Sequence, residues 1–378
     1  MSQLGSQTSL GGLRGRRWRR PTRRRGDLES SSSPSREAAR AFFTLSGEHP
    51  SLPAAEVKAL LEAQGVKWRL LDEGPFYVRV EAPIEAAVKA AERAAMTMEC
   101  CLELASCPAV LDEAVRAARQ VEWPSLDSGS FAVRAERRIP GPRAASSLEL
   151  ERAIGAVVKE AWPSARVDLR RPDVVVRGFV VGDRLLLGLR LVKVDRGRFG
   201  ERRPRRRPFF HPSALDPKLA RLYVNLARAW AGDVVLDPFT GTGSILVEAW
   251  MLGCLPVGFD LDPFMVKGAA RNLEALGAQA LLAVGDARRL AARSVDCVAT
   301  DPPYGRASST HGLGYLELLS EFLSSTAEAL KRGRYACFAA PSWIEVEEVA
   351  STVGLEVVEC HDLRVHRSLT RRIVVARR

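Results

Sequence analysis

Between Asp233 and Ala340, five short apolar runs alternate with stretches of helical period. The runs cover residues 233–236, 254–259, 280–284, 295–300 and 335–340. Each is strand-sized, and each gap can hold a helix that returns the chain to the same edge. The strands must then pair in parallel through right-handed crossovers, which makes an α/β, doubly wound, Rossmann-like sheet. A helix is expected before it over 215–230. It has Asp216 near its start, Pro217 in the first turn, and Leu219, Leu222, Tyr223 and Leu226 on one face. Two later runs, 355–359 and 372–376, are placed as an antiparallel hairpin closing the sheet. This domain is read as 213–378.

Acidic residues end successive strands of this pattern. The first strand runs into Asp237-Pro238-Phe239-Thr240-Gly241-Thr242-Gly243. A glycine loop between strand and helix is the ligand site of doubly wound folds, and Gly241 and Gly243 let backbone approach a ligand. Gly241-x-Gly243-x-x-Leu246 lacks the third glycine of the dinucleotide fingerprint, which disfavours a nicotinamide cofactor. Asp237 suits a cationic ligand better than a pyrophosphate. S-adenosylmethionine, with an ammonium, a sulfonium and no phosphate, is such a ligand. Asp260 ends the second strand, where a carboxylate can accept both ribose hydroxyls. Asp262, before Pro263, reads as a helix cap. Asp286, followed by Ala287, ends the third strand and is assigned to the adenine amino group. The fourth strand ends in Asp301-Pro302-Pro303-Tyr304.

Upstream, the organisation is different. Residues 1–38 are low in complexity, with an arginine-dense run from Arg14 to Arg25. They admit three readings: an RNA-binding arm, a transit peptide, or an upstream start codon. Residues 42–45, 76–80 and 99–105 read as strands, and 53–63, 84–95 and 111–118 as helices. A ferredoxin-like α+β domain over 39–122 is expected. A turn-rich stretch then restarts the pattern for a second domain, 123–194. It comprises a strand at 131–135, a helix capped by Ser146 with Glu149 completing a capping box, and a short strand at 167–169. A hairpin then folds around Gly182-Asp183. The linker 195–212 carries Arg196, Arg198, Arg202, Arg203, Arg205, Arg206 and Arg207. It reads as either a solvated charge run or an RNA-facing seam, and Arg196, Arg198, Arg202, Arg203, Arg205 and Arg206 are assigned to RNA binding.

The chain of 378 residues has a formal charge of +11, which favours a polyanionic partner. Its seven cysteines form no Cys-x-x-Cys pair, so buried, reduced thiols and a cytosolic protein are expected. The five histidines share no ligand spacing, so no metal is expected. No apolar run approaches the roughly 20 residues of a membrane span. A monomer is expected.

The stretch 131–134, the helix with Leu148 and Leu150, residues 167–173 and the Leu-rich hairpin resemble a THUMP domain, an RNA-binding module. The acidic series ending in Asp301-Pro302-Pro303-Tyr304 resembles the class I S-adenosylmethionine-dependent amino-methyltransferases. On that resemblance Asp301 and the Pro302 carbonyl accept the two N–H groups of an exocyclic amine and Tyr304 stacks on the base. Asp237, Phe239, Gly241, Gly243, Asp260, Asp286, Ala287 and Asp301 would form the donor pocket. Alignment of the amine against an already electrophilic methyl would supply most of the catalysis.

Three further segments are similar to the archaeal THUMP-bearing tRNA guanine-N2 methyltransferases. They are Arg207-Pro208-Phe209-Phe210-His211-Pro212, the stretch Leu45–Pro53, and the tail from His366 to Arg371. The resemblance implies methylation of guanosine at N2, at tRNA position 10, to the mono- or dimethyl product. Arg306, Ser308 and His311 are candidates for shaping base entry. Another tRNA or ribosomal RNA guanine, or a non-catalytic RNA-binding protein on a retained methyltransferase fold, stays open at this point.

Overall fold

The computed structural model describes residues 38–124, 129–303, 314–366 and 369–378. Nearly all of the expected tail, and Tyr304, Arg306, Ser308 and His311, lie outside the described residues, as do Arg367 and Ser368 of the carboxyl-terminal motif.

The amino-terminal half is built on one eight-stranded sheet. Its strands are β1 (Ala38–Leu45), β2 (Arg69–Gly74), β3 (Tyr77–Pro83), β4 (Thr97–Pro108), β5 (Ser130–Pro140), β6 (Arg166–Val167), β7 (Val174–Gly182) and β8 (Arg184–Lys193). Its helices are α1 (Leu52–Ala63), α2 (Ile84–Arg93), α3 (Leu111–Gln120) and α4 (Ser147–Ala161). The spatial order is β2-β3-β1-β4-β8-β7-β5-β6. The first four strands with α1 and α2 make the expected ferredoxin-like layer. β2 was not anticipated: it is an edge strand in which Leu70 is exposed and Leu71 only half buried, so it shows no buried alternation.

The sheet does not break between the two expected domains, because β4 pairs with β8 from Glu99 to Pro108. Nor do the cores divide at 122/123. Ala114 and Ala118 of α3 pack with Phe131, Leu150 and Ile154, so α3 belongs with the second half. The α4 capping box is present as expected, Ser146 Oγ accepting from Glu149 N and Glu149 reaching back to Ser146 N.

The carboxyl-terminal half has strands β9 (Val234–Asp237), β10 (Leu255–Asp260), β11 (Leu281–Val284), β12 (Val295–Thr300), β13 (Leu330–Pro341), β14 (Glu356–His366) and β15 (Leu369–Arg377). Around them lie α5 (Pro217–Leu226), α6 (Ser244–Met251), α7 (Pro263–Ala275), α8 (Tyr315–Ala329) and α9 (Val346–Thr352). The order is β11-β10-β9-β12-β13-β15-β14. The first five strands are parallel, and β15 pairs antiparallel with both β13 and β14. The direction of progression reverses between β9 and β12, which is where a doubly wound sheet opens its ligand crevice. α5 is shorter than expected. It ends where Arg228 takes a positive φ of 55° and turns its guanidinium onto Glu62 and Glu359.

The two halves share a core. Leu52, Ala55 and Ala59 of α1, with Ala95 and Met96, pack against Tyr223, Leu226 and Val235. Inside this seam Glu56 is fully buried and accepts from Ala95 N, Met96 N and Asn225 Nδ2. Burial pushes its carboxyl up.

Candidate active site

Parallel pairing brings the carboxyl ends of β9, β10, β11 and β12 together, and with them Asp237, Asp260, Asp286 and Asp301. Asp237 is 1% exposed. Its Oδ1 accepts from Thr300 Oγ1 at 2.6 Å and from Phe239 N at 3.2 Å. Burial pushes the carboxyl up to about 7 against those hydrogen bonds, and the negative charges of Asp260 and Asp301 add to the rise. A buried carboxylate among other carboxylates is a built receptor for positive charge.

A pH dependence follows. The folded chain holds the Asp237 proton up to about pH 7, whereas an unfolded chain releases it near pH 4, at about the ordinary aspartate value. Stability of the ligand-free protein therefore falls as pH rises through that window and levels off above it. Asp237→Asn is expected to be less pH-sensitive than the parent between pH 4 and 7 in denaturant titrations. Identical slopes would show that Asp237 is ionised throughout.

The loop after β9 is held from below. Thr240 Oγ1 donates to the Asp237 carbonyl at 2.9 Å, and Thr240 N donates to the Phe259 carbonyl at 2.9 Å. Asp260 Oδ2 accepts from Gly241 N at 2.8 Å and its Oδ1 from Asp262 N at 3.0 Å. Asp260 thus ties the glycine loop to the start of α7, and each oxygen keeps acceptor capacity for a hydroxyl. Asp262 caps α7 as expected, accepting from Phe264 N.

Gly243 has φ +80°, and a Cβ there would sit 3.3 Å from Ala269 Cβ. Gly243→Ala is expected to cost about 1–2 kcal/mol in unfolding measurements. Loss of cofactor affinity should accompany it, seen by equilibrium dialysis. Gly258 is a residue that no local pattern marks. A Cβ there would lie 2.3 Å from Thr240 Oγ1, so only glycine lets β10 pass beneath the loop.

At the third strand end, Asp286 is engaged by its own turn. It accepts from Arg288 N and pairs with the Arg288 guanidinium at 2.6 Å, which lowers its pKa. Ala287 is buried beside it. Asp301 is half-buried, and its Oδ2 lies 3.2 Å from Arg371 Nη2. Arg371 reaches it from β15, whose backbone pairs Arg371 with Pro341 of β13. Pro302 is buried behind it. The antiparallel hairpin therefore delivers a cation to the fourth acid, a partner that spacing along the chain could not reveal.

The linker arginines divide into two groups. Arg196, Arg198 and Arg202 were expected to face RNA, but they are engaged within the protein. Arg196 pairs with Glu48. Arg198 donates to the Glu92 and Ala94 carbonyls at 2.7 and 2.8 Å, at the carboxyl end of α2, where the helix dipole favours a cation. Arg202 pairs with Glu248 at 2.7 Å. Arg207 is buried and donates to Ser244 Oγ at 2.7 Å. Arg203, Arg205 and Arg206 are exposed. Among the described residues no cluster of His, Cys, Asp or Glu has the makings of a metal site, and no helix is long and apolar enough to cross a membrane.

Carboxylates at four successive parallel-strand ends, a glycine loop after the first and an Asp-Pro-Pro after the fourth define a class I methyltransferase domain. The family described as "RMKL-like, methyltransferase domain" matches residues 204–373, and the THUMP domain matches residues 108–190, which includes α3. The tRNA (guanine(10)-N2)-dimethyltransferase of Methanothermobacter thermautotrophicus is 38% identical over 336 residues, covering 88% of this chain and 98% of that protein. The protein of the same name from Pyrococcus abyssi is 35% identical, with 87% and 97% covered. The crystal structure of TrmN from Thermus thermophilus superposes with a TM-score of 0.51 at 24% identity, over 90% of this chain and 99% of that one. The chain belongs to the family of tRNA (guanine(10)-N2)-dimethyltransferases.

Proposed function

We propose that this chain transfers methyl from S-adenosylmethionine to the exocyclic N2 of guanosine 10 in tRNA, giving N2-methyl- and N2,N2-dimethylguanosine. One observation carries the reading. Asp301-Pro302-Pro303 stands at the switch point, beside Asp237, in a chain that aligns along nearly the whole of a named dimethyltransferase.

The residues present fit that methyl donor. Asp237 offers a buried carboxyl that a cationic ligand would draw into its ionised form, Asp260 offers acceptors for ribose hydroxyls, and Phe239, Gly241, Gly243, Asp286 and Ala287 line the same strand ends. When bound, S-adenosylmethionine supplies a methyl made electrophilic by its sulfonium. The protein's own work is to hold the amine. The lone pair of an aromatic amine is delocalised into its ring, so the nitrogen must be fixed with that lone pair pointing at the methyl. Asp301 and the Pro302 carbonyl accept its two N–H groups. The second transfer leaves only one N–H to be held, so a single acceptor then suffices. The nitrogen sheds a proton as the N–C bond forms, and Asp301 is placed to receive it or pass it to water.

The amino-terminal half, with the THUMP region and exposed Arg203, Arg205 and Arg206, would grip the tRNA. Neutralising phosphates makes that binding strongly salt dependent. The test is transfer of labelled methyl to a tRNA transcript with guanosine at position 10, followed by mass spectrometry of mapped fragments. Label in N2-methyl- and N2,N2-dimethylguanosine at that position is expected. Label elsewhere, or none from a folded protein that binds tRNA, would overturn the reading.

A further inference from the structure

We propose that Tyr315 and Trp343 form the docking face for the base that is methylated, with the base stacked on Trp343 and its exocyclic C6 oxygen bonded to the Tyr315 hydroxyl. The proposal rests on the methyltransferase reading above and names two residues that it did not use.

Topology sets the position. β12 and β13 are parallel, with Thr300 opposite Phe338, so β13 runs alongside Asp301 and on to Pro341. The turn that follows is closed by Ile344 N donating to the Pro341 carbonyl at 3.2 Å. Ile344 is 5% exposed and anchors the turn in the core, while Trp343 at its tip is 71% exposed. The cation that pairs with Asp301, Arg371, is opposite Pro341 in the same sheet. Trp343 therefore stands at the rim of the cleft that holds the Asp301 carboxylate.

Tyr315 opens α8 and packs on the core beneath. Its ring centroid is 6.2 Å from that of Trp343, with the planes at 62°. The Tyr315 hydroxyl is buried and has no hydrogen-bond partner among the described residues. Burial and the negative charge of Asp301 push its pKa up, so it stays protonated and can donate. A buried hydroxyl without a partner costs roughly 1–3 kcal/mol, a penalty that an acceptor on the substrate would relieve.

The chemistry of the rim selects the occupant. Glu317 and Glu345 are exposed nearby in sequence, which disfavours a phosphate and favours a base edge carrying N–H groups. Guanine presents its N1–H and N2–H groups next to its C6 oxygen. Asp301 would take the donors and Tyr315 the oxygen, while an aromatic face gives stacking worth roughly 1–3 kcal/mol per base.

The test uses full-length Trp343→Ala and Tyr315→Phe with two tRNAs, one carrying guanine and one 2-aminopurine at the target position. 2-Aminopurine keeps the amine and lacks the oxygen and the N1 hydrogen, so the Tyr315 contribution is read from the change in preference between parent and Tyr315→Phe. Trp343→Ala is expected to lower kcat/KM for tRNA roughly 5- to 150-fold with KM for S-adenosylmethionine unchanged, and Trp343→Phe to restore most of it. Tyr315→Phe is expected to narrow the preference for guanine over 2-aminopurine. Unchanged kcat/KM in Trp343→Ala, or an undiminished preference in Tyr315→Phe, would overturn the proposal. Failure of the methylation reading shows separately, as no methyl transfer by the parent chain. In that case tRNA affinities of parent and Trp343→Ala that coincide in a binding titration overturn the docking face.

Discussion

Asp301→Ala is expected to lower methyl transfer to tRNA by about two to four orders of magnitude, with tRNA affinity unchanged in a filter-binding assay. The substitution removes the acceptor that orients the amine and the group placed to receive its proton. It also leaves Arg371, whose guanidinium lies 3.2 Å from the carboxylate, facing the cleft without that counter-charge. Asp301→Asn separates these effects. The amide keeps an acceptor oxygen and loses the negative charge, so its activity should fall between that of alanine and the parent. Because alignment is the main contribution, the loss should appear in kcat rather than in KM for tRNA. Activity of Asp301→Ala within a few-fold of the parent would remove Asp301 from the mechanism.

Glu248→Ala is expected to be the most damaging single change to stability, about 3–5 kcal/mol in denaturant unfolding. Glu248 lies on α6 and is 0% exposed. It accepts from Arg202 Nε at 2.7 Å and pairs with Arg221 Nη2 at 2.7 Å. Arg198 adds to the positive charge there: burial first, then the charges of Arg221 and Arg202, lower its pKa. Removing the carboxylate strands buried guanidinium groups against one another at the junction of linker, α5 and α6. α6 begins directly after Gly243, so weaker donor binding should accompany the lost stability. A change below about 1 kcal/mol would mean that water reaches the arginines and the seam is not a dry one.

Much of this was legible in the residues. The βα alternation, the helix start at Asp216-Pro217, the cap at Asp262, the hairpin about Gly182-Asp183 and the closing antiparallel pair are all local patterns, and each formed where its residues predicted. The same holds for the acids at strand ends, since a strand's last residue needs no knowledge of its neighbours. Misreadings came where a partner distant in sequence decided the outcome. β2 forms because β3 offers it an edge. α3 packs with the second core because β4, which leads into it, pairs with β8. Arg196, Arg198 and Arg202 looked like a basic seam because their partners, Glu48, the α2 carbonyls and Glu248, lie 46 to 148 residues away. Arg203, Arg205 and Arg206 remain on the surface.

The sequence by itself therefore determined the fold class, the order of its elements, the loop after β9 and the four acids. These follow from hydrophobic period, turn chemistry and position along a strand. Only the tertiary structure decided the state of those acids. Thr300 and burial set Asp237, Arg288 engages Asp286, and Arg371 crosses from β15 to Asp301. It also decided which linker arginines hold the two halves together and which meet solvent, and it brought Tyr315 of α8 into ring contact with Trp343. The reason is physical. Secondary structure is set by short-range sterics and solvation, whereas charge state and exposure depend on what the folded chain brings within a few ångströms.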